Sequence, residues 1–269
     1  METMISAVPR SSFPAPEGLI LEVSNLAIQF GGNSVLRDCN LQVKQGDFLS
    51  IIGPNGAGKS TLFNLISGFY RPNSGSIYWQ DREITRFSVA KRARLGIGRS
   101  FQTAEDYSEM TLLKNLSIPI RQKLGLSWHC WRSAHKFGEV RDKAEFFLEK
   151  VNLSHKKNHL PSTLTYGEQK KLDIAMVLAQ EPVIMLLDEP SAGIALEEES
   201  MMLELLQQLK AEGKYTILLV EHKLNLVFEL SDTVAVLDKG KVIAQGKPNS
   251  IRNNPAVQAA YLGKRFQTH

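Results

Sequence analysis

The sequence has few cysteines, no long apolar run and no apolar leader. Its two cysteines, Cys39 and Cys130, stand far apart among 269 residues and form no CxxC motif, which predicts reduced thiols and no disulfide framework. Apolar runs such as Val183–Leu187 and Ile217–Val220 are far shorter than the ~18 residues that a membrane-spanning helix needs. Residues 1–17 contain three prolines and no sustained apolar stretch, which predicts a flexible tail and not a signal peptide. We therefore expect a chain that is soluble on its own and that relies on another subunit if it serves a membrane.

The chain also lacks a strong excess of either charge. Lys and Arg number 32 against 28 Asp and Glu, a formal net charge of +4, and this balance does not indicate nucleic acid as a partner. Basic residues cluster at Lys91, Arg92, Arg94 and Arg99. We interpret this basic cluster as a solvated face, with a phosphate or lipid contact as the alternative.

Strand and helix patterns alternate along the chain and are interrupted in its middle. Strand patterns occupy Leu19–Phe30, Phe48–Ile52, Val183–Asp188 and Thr216–His222, and helical patterns occupy Leu172–Ala179 and Met201–Gly213. Strands that alternate with helices predict a parallel sheet covered on both faces. From about Thr103 to Ser162 the strand signals fade, and the helical spacing in Lys143–Leu153 predicts a helical insert.

The stretch GPNGAGKST follows a predicted buried strand and fits the phosphate-loop pattern G-x-x-x-x-G-K-[ST]. Its residues are Gly53, Pro54, Asn55, Gly56, Ala57, Gly58, Lys59, Ser60 and Thr61. Glycines allow backbone N–H groups to turn towards phosphate oxygens, and the helix that begins near Lys59 adds its positive end. Lys59 is expected to contact the β- and γ-phosphates of a nucleotide, and the Ser60 hydroxyl to ligate Mg²⁺. An ordinary glycine turn is the alternative interpretation.

Two carboxylates, Asp188 and Glu189, end the apolar strand pattern of Val183–Asp188. Asp188 can hold Mg²⁺ through water, and Glu189 is expected to point differently and to act as a general base on the attacking water. Exposed surface acids are the alternative, but a carboxylate pair at the end of an apolar strand is unusual. Together with the phosphate loop, this pair predicts an enzyme that hydrolyses a nucleoside triphosphate.

The stretch from Leu164 to Ala179 resembles the signature of the ATP-binding cassette (ABC) family, usually written LSGGQ. The matching residues are Thr165, Tyr166, Gly167, Glu168 and Gln169. Serine and glycine are common at the first two of these positions, so this form departs from the usual pattern. A hydroxyl and a glycine at a helix N-terminus form an anion-binding site. The resemblance implies that this site closes on the γ-phosphate of a nucleotide held by a second ABC ATPase subunit.

Further positions match family motifs in the expected order, and the resemblance implies their roles. Phe30 matches the aromatic residue that stacks on adenine, with a core phenylalanine as the alternative. Gln102 matches the glutamine that contacts Mg²⁺ and the attacking water, and His222 matches the histidine that hydrogen-bonds the γ-phosphate. Ser191–Ile194 matches the loop that crosses the dimer interface.

The resemblance covers nearly the whole chain from Leu19 onward and implies an α/β fold. The implied architecture is a RecA-like P-loop NTPase core with a mixed sheet, an antiparallel β-subdomain and an α-helical insert subdomain. We expect one ABC ATP-binding domain at residues 18–269, with the helical subdomain at about 103–165. ATP and Mg²⁺ are the implied cofactors.

The stretches LGIGRSFQT and IRNNPAVQAAYLG are similar to the ATPases of branched-chain amino-acid importers. The segment around Trp128 and Trp131 fits the larger of the two ATPases in such systems. That family implies a second ABC ATPase subunit, two transmembrane permeases that contact the helical subdomain, and a solute-binding protein that acts indirectly. The implied location is peripheral, at the cytoplasmic face of the bacterial inner membrane. An importer of urea, short amides or another polar solute is the alternative. A non-transport ABC ATPase or a P-loop kinase fits the sequence less well.

Overall fold

A computed structural model describes residues 18–100, 109–126 and 134–262 of the chain. The strands are β1 (Leu19–Phe30), β2 (Asn33–Lys44), β3 (Phe48–Ile52), β4 (Ser74–Trp79), β5 (Arg82–Glu83), β6 (Ile97–Arg99), β7 (Ile184–Asp188), β8 (Thr216–Val220), β9 (Thr233–Asp238) and β10 (Lys241–Gly246). The helices are α1 (Lys59–Ser67), α2 (Val89–Leu95), α3 (Leu112–Lys123), α4 (Ala134–Lys150), α5 (Tyr166–Leu178), α6 (Leu196–Ala211), α7 (Leu224–Leu230), α8 (Pro248–Arg252) and α9 (Pro255–Val257).

The strands form two sheets of different kinds. One is antiparallel, with the order β2-β1-β4-β5. The other has the order β10-β9-β3-β8-β7-β6, and its strands pair in parallel from β9 to β6 while β10 pairs antiparallel to β9. The predicted α/β class, with a mixed sheet and a separate antiparallel sheet, is therefore confirmed.

The centre of the six-stranded sheet is covered on both faces. Every residue of β3, β7 and β8 is buried, as expected of parallel strands between two helical layers. Helix α1 and the antiparallel sheet share one apolar core with one face of these strands, while α5 and α6 share a second core with the other face. Because β3, β7 and β8 run parallel, the segments that follow their carboxyl ends meet at one edge of the sheet.

The predicted helical insert is confirmed for its described part. Helices α3 and α4 pack against each other and against α5. Residues 103–108 and 127–133, which include Trp128 and Trp131, lie outside the described residues. The expected subdomain limits stay predictions. Within the described ranges, no helix has both the length and the apolar character that crossing a membrane requires.

Two helices begin earlier than the apolar pattern predicts. Helix α5 begins at Tyr166, because Thr165 and Glu168 form a capping box that satisfies backbone N–H groups ahead of the apolar stretch. Helix α6 begins at Leu196, and three glutamates in its first turn favour a helix start through the helix dipole. A capping box extends α5, and acidic residues in the first turn extend α6, beyond their periodic segments.

The interpretation of the basic cluster as a solvated face is wrong for two of its four members. Arg92 is 1% exposed, and its guanidinium donates to the carbonyls of Leu65 (2.5 Å), Ile66 (2.7 Å) and Thr85 (2.8 Å). The fork of N–H donors satisfies carbonyls at the C-terminus of α1, where a positive charge is favourable. Arg99 is also largely buried, beside α1 and β7, whereas the other two residues of the cluster are exposed.

Candidate active site

The predicted phosphate loop joins the buried strand β3 to helix α1. Gly58 is the N-cap of α1 at φ 105°, and no side chain caps the helix, so its first N–H groups are left for another acceptor. A Cβ at Gly58 would lie 2.6 Å from Leu36 Cδ2, and one at Gly53 would lie 2.0 Å from the Leu237 carbonyl oxygen. Both positions therefore require glycine, and the uncapped N–H groups at the start of α1 could donate to an anion.

Lys59 is folded back onto this loop. Its Nζ donates to the carbonyls of Gly53 (2.9 Å) and Pro54 (3.2 Å), and the residue is only 6% exposed. Burial lowers the pKa of Lys59, while the nearby charges of Glu189 and Asp188 raise it. The ammonium thus lies between the loop and the two carboxylates, which is where a triphosphate would need a positive charge.

Asp188, the last residue of β7, carries buried and unsatisfied oxygens. Among the described residues no hydrogen bond of normal geometry reaches either oxygen, and Arg99 Nη2 lies 3.7 Å from Oδ2. Burial raises the pKa of Asp188, Arg99 opposes this shift, Glu189 adds to it, and the Ser60 hydroxyl is close enough to lower it. A buried carboxylate that lacks hydrogen bonds of normal geometry and lies near a hydroxyl fits Mg²⁺, which typically takes one or two protein oxygens together with phosphate oxygens.

Glu189 and His222 form a pair next to Asp188. His222 Nε2 lies 2.9 Å from Glu189 Oε1, and the two side chains are 35% and 36% exposed, respectively. Glu189 adopts φ 50°, and its N–H donates to the Val220 carbonyl at 2.9 Å. After this left-handed turn, Glu189 lies at the end of the neighbouring strand β8, where its side chain meets His222.

Phe30, at the end of β1, lies on the surface. The residue is 43% exposed, and its ring packs edge to face against Tyr70 with centroids 5.2 Å apart. The alternative of a core phenylalanine is therefore wrong. The exposed ring leaves area on which a planar base could stack.

The predicted signature forms the N-terminus of α5 and contacts α6. Thr165 Oγ1 accepts the N–H of Glu168 at 3.2 Å, and Glu168 accepts the N–H of Thr165 at 3.0 Å. Thr165 Oγ1 also donates to Glu198 Oε1 at 2.5 Å. A Cβ at Gly167 would lie 2.5 Å from Glu198 Oε2, so the carboxylate occupies the space in front of this helix end.

The other signature residues have partners of their own. Glu168 forms an ion pair with Lys156 at 2.6 Å, and Gln169 Nε2 donates to the Leu164 carbonyl at 3.3 Å. Tyr166 is half exposed, and its ring lies against Gly193 of the Ser191–Ile194 loop. Glu168 and Gln169 hold the turn that presents Thr165 and Gly167.

The structure thus brings Lys59, Ser60, Asp188, Glu189 and His222 together at one edge of the sheet, while the residues of the signature face α6 and the Ser191–Ile194 loop. Gln102 lies outside the described residues. The roles of all the predicted site residues in binding and catalysis stay predictions.

Two charged residues of the site were not identified from the sequence. Arg99 donates to Asn64 Oδ1 (2.5 Å) and Ser67 Oγ (2.9 Å) of α1 and faces Asp188. Glu221 is 2% exposed and accepts backbone N–H groups on both sides of the Glu189–His222 pair. The available signal for Glu221 was its place between an apolar strand and the motif histidine; for Arg99 we find no comparable signal.

Comparison with protein families and curated proteins identifies relatives over nearly the whole chain. A family model described as "ABC transporter" matches residues 36–192, and one described as "Branched-chain amino acid ATP-binding cassette transporter" matches residues 241–267. The high-affinity branched-chain amino acid transport ATP-binding protein LivG of Escherichia coli is 38% identical over 252 residues, covering 91% of this chain and 98% of that protein. The corresponding protein BraF of Pseudomonas aeruginosa has the same identity and coverage.

Solved structures agree with these relatives. The ADP conformation of MJ1267, an ATP-binding cassette of an ABC transporter, has a TM-score of 0.79 at 32% identity, covering 91% of this chain and 99% of that chain. A dimeric post-hydrolysis state of the cassette MJ0796, bound to ADP and Pi, has a TM-score of 0.73 at 27% identity, covering 85% and 99%. From its matching family model, its relatives and its fold, the chain belongs to the ABC transporter family as an ATP-binding subunit.

Proposed function

We propose that this chain hydrolyses ATP to power an importer of branched-chain amino acids, as one half of a cassette dimer. The observation that carries the proposal is the Glu189–His222 pair, 2.9 Å apart, beside Lys59 and the unsatisfied oxygens of Asp188. The names of the relatives and the family match of residues 241–267 support the cargo and favour it over urea or short amides.

The proposed chemistry follows from the charges at the sheet edge. The phosphate loop and Lys59 would bind the β- and γ-phosphates, with the adenine on Phe30. Ser60 and Asp188 would hold Mg²⁺, which neutralises phosphate charge when bound. Glu189 would take a proton from the water that attacks the γ-phosphorus as the bond to the bridging oxygen breaks. The single N–H of a neutral His222 would hold Glu189 before ATP binds and would donate to a γ-phosphate oxygen in the ATP complex.

The signature supports the proposed dimer. Thr165 and Gly167 border a helix N-terminus whose contacts, as far as the structure describes them, are with Glu198 of α6. An anion site of this kind has no role for the nucleotide of its own subunit, so it would close on ATP held by a second ABC ATPase. Tyr166 and the other signature residues would support that contact.

The helical region supports the proposed permease contact. A groove on α3 is lined by apolar Met110, Ile118 and Leu126, with Lys114 and Arg121 among its polar residues. A short amphipathic helix of a permease would fit such a groove. Two permeases would hold the cassette dimer peripherally at the cytoplasmic face of the bacterial inner membrane, and a solute-binding protein would act on them from the other side.

The catalytic part of the proposal is tested with two variants of the full chain. Lys59→Ala is expected to weaken ATP binding by about tenfold or more, measured by calorimetry, because the charge on the β- and γ-phosphates is lost. Glu189→Gln is expected to keep ATP affinity and to lower kcat by about 10² or more, because the general base is lost. Glu197→Gln, on the exposed first turn of α6, is the control. Normal ATP binding by Lys59→Ala or normal turnover by Glu189→Gln would contradict the assignments.

The cargo is tested in proteoliposomes that contain this chain, its second cassette and its permeases, with the solute-binding protein added outside. Uptake of radiolabelled leucine that depends on internal ATP is expected, with labelled urea as the comparison. ATP-dependent uptake of urea without leucine would assign the system to the alternative cargo.

A further inference from the structure

Glu221 is a buried carboxylate between β8 and α7 whose partners are backbone groups. Its Oε1 accepts the N–H of Ser191 at 2.9 Å, and its Oε2 accepts the N–H groups of His222 at 2.9 Å and Lys223 at 3.4 Å. Backbone donors therefore satisfy both oxygens of a side chain in a residue that is 2% exposed. The Lys223 ammonium is directed elsewhere, to the Ser191 carbonyl at 3.1 Å and to Glu199.

The two segments that Glu221 joins carry the two side chains of the proposed reaction. Ser191 follows shortly after Glu189, and His222 is the next residue after Glu221. Glu189 is held at φ 50°, a conformation that a residue with a side chain keeps only where its surroundings impose it. The Val220 carbonyl fixes the beginning of this turn at 2.9 Å, and Glu221 fixes its continuation.

We propose that Glu221 is a positioning residue that sets the separation of the Glu189 and His222 side chains. By accepting from Ser191 and His222 at the same time, its carboxylate locks the turn after β7 to the end of β8. The inference rests on the proposed function, since it assumes that Glu189 and His222 act on ATP. Glu221 itself is no catalytic group, because its oxygens accept from backbone donors and the residue is buried.

The positioning role requires two hydrogen-bond acceptors on a side chain that is as long as that of glutamate. Glutamine has almost the same shape but offers one oxygen and an NH₂ group, so one of the two backbone N–H groups would face a donor. Aspartate keeps both acceptors on a side chain that is shorter by one methylene. Glu221→Gln therefore removes the second acceptor at constant volume, and Glu221→Asp tests the reach at constant charge.

The experiment measures ATP affinity and turnover of the full chain. In Glu221→Gln, kcat is expected to fall by about tenfold or more, whereas the Kd for ATP changes by less than about threefold, because Lys59 and the phosphate loop are untouched. Glu229→Gln on α7, whose carboxylate accepts from Gln207 at the surface, is the matched control and keeps both values. If Glu221→Gln does not fold, Glu221→Asp serves for the same comparison.

A double variant tests whether Glu221 positions the Glu189–His222 pair or only stabilises the fold. In a His222→Ala background, Glu221→Gln is expected to have little further effect on kcat, because the pair is already broken. A purely structural role would lower kcat by the same factor in both backgrounds. Equal factors, normal turnover in Glu221→Gln, or a loss of ATP affinity as large as the loss of kcat would overturn the proposal.

The same variants distinguish failure of this inference from failure of the proposed function. If Glu189→Gln loses turnover and Glu221→Gln does not, the positioning role is wrong and the proposed function stands. If Lys59→Ala still binds ATP and Glu189→Gln still hydrolyses it, the proposed function is wrong and this inference falls with it.

Discussion

At the scale of single residues, the edge of the sheet that carries Asp188 is distinguished by ionisable side chains that are largely buried. Asp173 on α5 lines a small cavity together with Asp188 and Lys170. Burial raises the pKa of Asp173 from 3.8 to about 7, and the Lys170 ammonium opposes this shift. The folded chain therefore favours the neutral carboxyl, although an unfolded chain would ionise it readily.

We expect Asp173 to make stability depend on pH. Between its ordinary value of 3.8 and about 7, the folded state binds more protons than the unfolded state, so the free energy of unfolding falls as pH rises through this window. Asp173→Asn should remove that decline and stabilise the chain at pH 8 by about 1–2 kcal/mol, less than the full shift because solvent still reaches the site. Urea unfolding at pH 5 and pH 8 measures the effect.

Asp142→Asn is the control for this measurement, since Asp142 is an exposed aspartate on α4. It should leave the pH dependence unchanged. A parent chain that is equally stable at pH 5 and pH 8, or an Asp173→Asn variant that is less stable than the parent at pH 8, would contradict the assignment.

Residues whose role is set by local chain geometry could be predicted from the sequence. Lys59 and Ser60 have fixed places at the start of α1, and Asp188 ends an apolar strand, so spacing was sufficient. Arg99 and Glu221 act through contacts with residues far away in the chain, on α1 and on the turn after β7. Such contacts depend on which strands become neighbours, and a pattern in one segment does not contain that information.

At the scale of elements, apolar periodicity predicted the strands better than the beginnings of the helices. Strands β1 and β3 have the predicted limits, because each is bounded by glycine or a polar turn. Helices α5 and α6 begin before their periodic segments, because a capping box and an acidic first turn stabilise the added residues. Both effects act between polar side chains and the helix backbone. They therefore do not change the spacing of apolar residues, from which the helices were predicted.

The same two helix beginnings meet at the signature. Glu198, in the first turn of α6, places its carboxylate against Thr165 Oγ1 and in front of Gly167. A carboxylate at this helix end occupies the space that a phosphate of a second subunit's ATP would need. Both groups are anions, so they repel each other and compete for the same donors.

We expect Glu198→Gln to strengthen ATP-driven pairing. The amide oxygen can still accept from Thr165, but the negative charge is gone, so the ATP concentration needed for dimerisation should fall by about two- to fivefold, the size of a partly exposed charge interaction. The measurement is ATP-dependent dimerisation of the full chain by analytical ultracentrifugation, in a Glu189→Gln background that prevents hydrolysis. Glu197→Gln, one position earlier and exposed, removes the same charge away from the signature and should have no effect. A higher ATP requirement in Glu198→Gln would instead mean that the carboxylate helps to form the site.

At the scale of the whole molecule, the two helix N-termini that we propose as anion sites have different surroundings. Helix α1 begins at Lys59, near the carboxylates of Asp188 and Glu189, and the N-terminus of α5 contacts Glu198 of α6. The proposed dimer assigns the two ends to different nucleotides. Two copies of the chain in vitro could use both helix ends, if the N-terminus of α1 in each copy faces the N-terminus of α5 in the other.

This arrangement predicts that two inactive variants restore activity to each other. Lys59→Ala damages the phosphate loop, and Thr165→Ala damages the signature, so each variant alone should lose most of its turnover. In an equimolar mixture about half of the dimers contain one of each, and every such dimer has one composite site made from an intact loop and an intact signature. Turnover should therefore recover to roughly a quarter of that of the unaltered chain, if both sites are independent.

The helix cap complicates this experiment and provides its control. Thr165→Ala also removes an N-cap and should cost about 1 kcal/mol of stability, whereas Thr165→Ser keeps the hydroxyl and should keep both the cap and the turnover. Unfolding curves of the variants establish that the mixture contains folded chains. Because neither variant can repair its own defect, recovery in the mixture requires that the two sites be shared between copies. A mixture no more active than its components would mean that Lys59 and Thr165 serve the same subunit, and the dimeric site would be wrong.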